Sequence, residues 1–372
     1  MSARRKAPAL HAVIMAGGAG ERFWPASRAR RPKPFLEVVG GRSLLDATVA
    51  RAHRFTAPEN VWIVCGFEHA RAMREETGLP AGRVLVEPRR RNTAMAVAWA
   101  SLRIQAEDPD AVVVVLSADH HVPDDRAFAR AIRKSARAAA DAGVLVTLGV
   151  VPVRPETGYG YIQEGGPAAK AHPGLRKVRR FVEKPDAARA RRYLAAGTYR
   201  WNAGVFIWSA RTLLEEVETC APDLHRALGP LIAKPRGRNR QAVEAAYAAA
   251  PSMPVDVAVM EKSRRVWTLP VDFAWTDVGT WGSLAQELGV GTPARGDEAS
   301  RSGNRVIAGD VLIEEARDNL VWGADRLVAL LGVEGLAVID TQDVILVTKL
   351  DRSPDVRKIV ARVKRDGRSG LT

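Results

Sequence analysis

Residues 111–120, Ala-Val-Val-Val-Val-Leu-Ser-Ala-Asp-His, constrain the fold more than any other stretch. The five residues Val112–Leu116, apolar without a break, offer water no polar face, so the segment reads as a central strand buried on both sides. It is far too short to cross a membrane. Its polar residues gather at the carboxyl end. Runs of the same kind recur at 11–16, where His-Ala-Val-Ile-Met-Ala ends at Gly17, and at 61–66 and 144–150. Between them lie segments with helical spacing. These are 43–55 with Ser43 as N-cap, 92–106 with Asn92 in the N-cap position, and 127–143 closed by Gly143. Short apolar strands alternating with helices predict an α/β fold: a Rossmann-like, mostly parallel sheet covered on both faces. In such sheets ligands bind outside the carboxyl ends of the strands. The glycines after residue 16 and the segment Ser117–His121 both fall there.

The loop after the first strand, Gly17-Gly-Ala-Gly-Glu-Arg-Phe-Trp-Pro-Ala-Ser-Arg, leads on to Lys33. It is not a Walker A loop, because no Lys follows a glycine at the required spacing. It is not a dinucleotide fingerprint either. Phe23 stands where the third glycine belongs, and Pro25 forbids a clean helix. What remains is a loop whose Gly17, Gly18 and Gly20 let backbone N–H groups approach phosphate oxygens, with Arg22 and Lys33 as cations at its two ends.

The pattern loosens over 151–285, and a polar, Gly-rich stretch at 289–306 reads as a linker. Beyond it, 307–348 gives short strand-like runs with frequent turns, a small β module closed by a basic terminal helix that reads as solvated. This divides the chain into a catalytic region 1–288, a linker 289–306 and a β module 307–372. The net charge of +14 is spread along the chain. No zinc-finger, basic-zipper or RNA-binding aromatic motif accompanies it, so a nucleic-acid partner is not expected. Cys65 and Cys220 lie far apart and give neither a disulfide framework nor metal spacing. With no leader pattern and no membrane span in the sequence, the cytoplasm is the expected location. His120 and His121 are adjacent on a strand and point to opposite faces, so they are expected to serve local structure and not to chelate one ion.

The loop "GGAGERFWPASRARRPKPF" resembles the signature of sugar-nucleotide pyrophosphorylases, in the variant typical of mannose-1-phosphate guanylyltransferases. The resemblance continues in order through "EPRRRNTAMA", "SADHHV", "RPETGYGYI", "VEKPD", "WNAGVFIW", "VDVAVMEK" and "WTDVGTW". It spans about residues 11–285. Ser117, Ala26, Met95 and Pro254-Val255 depart from the usual pattern, and none of these departures removes an acid, a base or a cation.

The resemblance implies a nucleotidyltransferase fold of the GT-A-like kind with a small left-handed β-helix-like module. It implies transfer of GMP from GTP to mannose 1-phosphate, with Mg²⁺ held by Asp119 and Asp277. Arg22, Lys33, Asp119, Lys184 and Asp277 are the expected catalytic set. Arg22 would clamp the triphosphate, Lys33 would reach toward the α-phosphate, and Lys184 would contact the sugar phosphate. Gly17, Gly18, Gly20, Glu87, Asn92 and Thr93 are expected around the nucleotide. Gly158, Gly160, Glu183, Asn202 and Asp256 are expected around the sugar. The bifunctional relatives carry a further isomerase domain with clustered histidines. The last histidine here is His225, so isomerase activity is not expected. The resemblance also suggests a homodimer formed through the β module. Two alternatives stay open: a pyrophosphorylase for another nucleotide and sugar 1-phosphate pair, and a non-catalytic nucleotide-sugar or RNA-binding regulator.

Overall fold

The computed structural model describes residues 8–18, 20–38, 40–235, 240–293 and 298–372. The chain divides into two compact units. One holds residues up to 17, 48–118 and 122–275; the other holds 18–47, 119–121 and 276–372.

The first unit is built on a sheet of nine strands among the described residues. They are β1 Leu10–Ala16, β2 Val61–Gly66, β3 Val84–Glu87, β4 Val112–Ser117, β5 Leu145–Val150, β6 Tyr161–Pro167, β7 Arg176–Val182, β8 Tyr199–Ser209 and β9 Val266–Val271. Their order is β3-β2-β1-β4-β8-β5-β9-β7-β6. The expected parallel run is found in β3-β2-β1-β4 and again between β5 and β9. The long β8 runs antiparallel between β4 and β5. Its pairing with β5 carries a register shift between Thr147 and Gly149, where the chain turns toward Asn202.

Burial follows composition. Every residue of β4 from Val112 to Leu116 is buried, as a central strand requires. The helix Asn92–Glu107 is buried from Ala94 to Leu102, its alanines letting it lie close against the sheet. Arg91 is its N-cap, not Asn92. Asn92 instead adopts a left-handed φ of 61°, a conformation its short polar side chain tolerates, and its Oδ1 accepts from the N–H of Thr93. The helix Asp125–Ala142 is closed by Gly143 at φ 58°, as read from the sequence, and the structure adds Asp124 as its N-cap.

The second unit holds six short strands among the described residues: β10 Arg305–Ala308, β11 Val311–Glu314, β12 Leu320–Trp322, β13 Val328–Leu331, β14 Leu336–Asp340 and β15 Ile345–Lys349. β10, β12 and β14 stack in parallel, each coil advancing from Arg305 to Leu320 to Ala337, and β15 closes that sheet antiparallel. β11 and β13 pair in parallel on their own. This is a short β-solenoid. The fully buried Asn304 and Asn319 line it as a ladder. Asn304 Oδ1 accepts from both nitrogens of Asn319, whose own Oδ1 accepts from Leu336 N–H. Such buried amides stay only when their donors and acceptors are matched.

The linker read at 289–306 contains a short helix, Glu298–Arg301, and the first residues of β10; its residues 294–297 lie outside the described ones. The terminal helix, Val356–Arg365, departs from expectation. Its basic face is exposed, but Val356 and Val360 are buried in one apolar cluster with Phe23, Trp24, Leu36, Val278 and Trp281. Apolar residues four apart share a helix face, and here that face covers the signature loop.

Candidate active site

Lys33 is the centre of the second unit's polar cluster. It opens a single 3-10 turn after Pro32, and only 7% of its side chain is exposed. An ammonium taken out of water must regain hydrogen bonds. Nζ donates to Asp119 Oδ2 at 2.8 Å and to the main-chain carbonyl of Asp277 at 2.6 Å. It also lies 5.6 Å from the centre of the Phe23 ring.

The two acidic residues are brought together by main-chain pairing. His121 and Thr276 exchange hydrogen bonds of 2.9 and 3.1 Å in an antiparallel bridge. The bridge aligns the segment that follows β4 with the segment leading to Asp277. The His121 imidazole lies 3.3 Å from Glu287, whose carboxyl is pushed above its usual range by burial. His121 thus serves local structure, as expected. After Asp277, Val278 takes a left-handed φ of 43°. Gly279 leaves room for the Asp277 carboxylate, which would stand 2.8 Å from any Cβ there.

Gly20 shows why the loop needs glycine. Its φ is 61°, and a Cβ would lie 2.6 Å from Lys33 Cβ and 2.7 Å from Ser27 Oγ. Arg22 follows in the 3-10 turn Glu21–Phe23, exposed and without an ion-pair partner among the described residues. Gly18 has open space around it. The Trp24–Pro25 peptide bond is cis.

A second cluster lies in the first unit. Asn202 of β8 is buried and engaged at both ends of its amide. Its Nδ2 donates to Asp256 Oδ1 at 3.0 Å, and its Oδ1 accepts from Thr147 Oγ1 and Gly204 N–H. Its main chain donates to the carbonyl of Gly160 at 2.8 Å. A Cβ on Gly160 would strike Glu183 Oε2 at 2.7 Å. Asp256 opens a π-helical turn, Asp256–Met260, a form common at functional sites. Burial first, and the Glu183 carboxylate second, push the Asp256 carboxyl up to about 6. Lys184 has a left-handed φ of 44°, and its exposed ammonium meets Glu183 at 2.6 Å. Gly158 donates its N–H to Glu156 at 3.0 Å, and Tyr159 packs edge-on against Trp201.

Glu87 ends β3 beside Gly17, whose Cβ would stand 3.8 Å from Oε2. Burial pushes its carboxyl up to about 7, Glu68 adding to the rise while Tyr247 and Arg90 oppose it. Glu87 Oε1 and the Tyr247 hydroxyl are both buried, and neither has a hydrogen bond of regular geometry among the described residues. Thr93 accepts from Val255 N–H at 2.9 Å, which ties it to the turn carrying Asp256. Asn92 is exposed.

The structure therefore joins Lys33 with Asp119 and Asp277, and joins Gly160, Glu183, Asn202 and Asp256. Thr147, which orients Asn202, Tyr247, which faces Glu87, and His121 with Thr276 were not read as site residues. The first two lie far along the chain from the groups they touch and stand in no motif. Only the folded arrangement reveals them. Among the described residues no three His, Cys, Asp or Glu side chains gather into a metal cage, and no helix is long and apolar enough to cross a membrane.

Comparison with known proteins adds to this geometry. The nucleotidyl transferase family model matches residues 11–288. A model described as a MannoseP isomerase/GMP-like beta-helix domain matches residues 309–363. The xanthan biosynthesis protein XanB of Xanthomonas campestris pv. campestris (strain B100) is 39% identical, over 97% of this chain and 74% of its own. A mannose-1-phosphate guanylyltransferase of Escherichia coli K12 is 37% identical over 96% of this chain and 74% of its own. A crystal structure of a mannose-1-phosphate geranyltransferase from Thermus thermophilus superposes with a TM-score of 0.84. It is 36% identical, and the match covers 95% of this chain and 99% of the other.

Proposed function

We infer the reaction from the premise that this chain belongs to the nucleotidyl transferase family, on its mannose-1-phosphate guanylyltransferase branch: it transfers GMP from GTP to mannose 1-phosphate. A phosphate oxygen of the sugar 1-phosphate attacks the α-phosphorus of GTP in line. A new phosphorus–oxygen bond forms, the bond to the bridging oxygen breaks, and pyrophosphate leaves. No protein nucleophile is needed, so positioning and charge stabilisation carry the rate.

The observation that supports this most is Lys33, a buried ammonium bonded at once to Asp119 and to the main chain of Asp277. A cation held between two acid-bearing segments suits a site that must gather anions. We assign Arg22 to the triphosphate, Lys33 to the α-phosphate, and Gly17, Gly18 and Gly20 to backbone contacts with phosphate oxygens. Asp256, Asn202, Glu183 and Gly160 form a polar wall suited to sugar hydroxyls, with Lys184 for the sugar phosphate and Gly158 beside it. The buried Glu87 carboxylate suits the N1–H and N2–H₂ donors of guanine, with Asn92 and Thr93 nearby in sequence.

The donor set also fits Mg²⁺. Hard carboxylate oxygens from Asp119 and Asp277, completed by substrate phosphates and water, match its preference. Bound there, the ion would neutralise charge on the transferring phosphates. The division at 288 and 307, a homodimer and a cytoplasmic location belong to the same proposal.

The test is pyrophosphate release measured with Mg²⁺, each of four nucleoside triphosphates, and several sugar 1-phosphates. Release with GTP and mannose 1-phosphate above all other pairs is expected. Faster turnover with another triphosphate removes the guanine assignment, and no release with any pair removes the transferase.

A further inference from the structure

The signature loop is held from behind by residues more than three hundred positions away. Trp24 Nε1 donates to the carbonyl of Leu371 at 2.7 Å. Glu21, one residue before Arg22, meets Lys364 Nζ at 2.6 Å. Trp281 Nε1 donates to the carbonyl of Trp24 at 3.2 Å, and its ring lies 4.7 Å from that of Phe23. Phe23 in turn underlies the Lys33 ammonium. Val356 and Val360 fill the same apolar cluster. Ser353, just before the terminal helix, accepts from Gly282 N–H at 2.9 Å, in the first turn of the helix that follows Asp277.

Residues 21–24 are thus met by four residues of the segment 353–372: the carbonyl of Leu371, the ammonium of Lys364, and Val356 and Val360 in the shared apolar cluster. All of these contacts flank Arg22, whose own side chain stays exposed. We propose that residues 356–371 form a strap that positions the loop bearing Arg22 and Lys33 for the triphosphate, with Trp24 as the positioning residue. The strap rests on the assignment of that loop to polyphosphate. An exposed Lys–Glu pair alone contributes little, so most of the ordering falls to the indole hydrogen bond and the valine contacts. Holding a loop in its bound shape beforehand lowers the ordering cost of binding.

Trp24→Phe keeps an aromatic ring and removes the N–H that meets Leu371. Removal of residues 369–372 deletes the carbonyl while leaving the valines in place. The first readout is titration of the full chain and each variant with inorganic tripolyphosphate. Each variant is expected to bind about 5-fold or more weaker than the unaltered chain, with thermal unfolding within about 2 °C of it. Kinetically, KM for GTP should rise by the same factor while KM for mannose 1-phosphate stays within about twofold. Lys358→Ala, on the exposed face of the same helix, should leave all three unchanged. Equal tripolyphosphate affinities in unaltered and variant chains overturn the strap, as does an unaltered chain that does not bind tripolyphosphate. An unaltered chain that binds tripolyphosphate more tightly than both variants, yet turns over no GTP, upholds the strap and sinks the transferase reading alone.

Discussion

The Lys33 ammonium stands 2.8 Å from Oδ2 of Asp119, across 86 residues of chain. Each group needs the other. Leaving a buried charge without its partner costs more than the pair itself contributes. Asp119 is part-exposed, with 29% of its side chain open to solvent, so it can exchange some of that partnership for another cation. Lys33→Met should therefore lower kcat for pyrophosphate release about 100-fold or more, the scale for removing one preorganised charge-stabilising donor. Circular dichroism should show the fold intact. A kcat within about threefold of the unaltered chain would remove Lys33 from the chemistry.

Chelation of Mg²⁺ should stop pyrophosphate release, and added Mg²⁺ should restore it. Asp119→Asn should raise the Mg²⁺ concentration needed for half-maximal rate by about 10-fold or more, a floor taken from the cost of losing even a supporting group around a metal site. An unchanged requirement would mean that Asp119 serves only to orient Lys33.

Gly20→Ala places a methyl 2.6 Å from Lys33 Cβ, at a left-handed φ. The loop must shift or strain, at a cost of about 1–2 kcal/mol. We expect a lower unfolding midpoint together with a raised KM for GTP. Gly18→Ala, which meets nothing within 4 Å, is the matched control and should leave stability unchanged.

Asp256 ties stability to pH in the direction opposite to a surface carboxylate. Its folded-state carboxyl is raised to about 6 from 3.8, so between those values the folded chain holds more protons than the unfolded one. Stability then falls as pH rises through that window. Asp256→Asn removes the buried charge and keeps an oxygen for Asn202. It should stabilise the protein by up to about 3 kcal/mol above neutral pH, and by nothing once the carboxyl is protonated in both states. The same variant should raise KM for mannose 1-phosphate. Equal unfolding midpoints of the two chains in mildly alkaline buffer would show that the charge is solvated.

Glu87, raised to about 7 by burial, should titrate in the working range of the enzyme. As pH falls through that value its carboxylate is lost, and KM for GTP should climb. Glu87→Gln should give a KM that is raised and nearly flat across neutral pH. Parallel profiles for the two chains would place the guanine contact elsewhere.

The strands of the parallel half were legible because each carries its burial in its own residues. Val112–Leu116 could be nothing but central. Gly143 marks a helix end through local chemistry that no distant contact overrides. The placement of β8 was not legible. "YRWNAGVFIWS" has the residues of a strand, but nothing in it says that it runs antiparallel between β4 and β5. That pairing depends on residues far away in sequence. The same holds for Tyr247 beside Glu87 and Thr147 beside Asn202. The terminal helix misled for a different reason. Its charge dominates its composition, while its two buried valines matter only because Trp24 and Trp281 are there to receive them. Asn92 shows the limit of cap rules: the side chain suits a cap, but it bonds the very next N–H and Arg91 takes the cap position.

The hydrogen bond from Trp24 to Leu371 spans 347 residues. A chain made from its N-terminus releases β1 to β4 early, and that sheet can assemble while synthesis continues. The loop that follows β1 cannot reach its final geometry then, because the groups that brace it have not yet left the ribosome. Contacts between such distant residues also form slowly. On the strap proposed above, a nascent chain stopped short of residue 356 would own a sheet but not the bracing of its signature loop, so translation itself would set the earliest moment at which that loop is ordered.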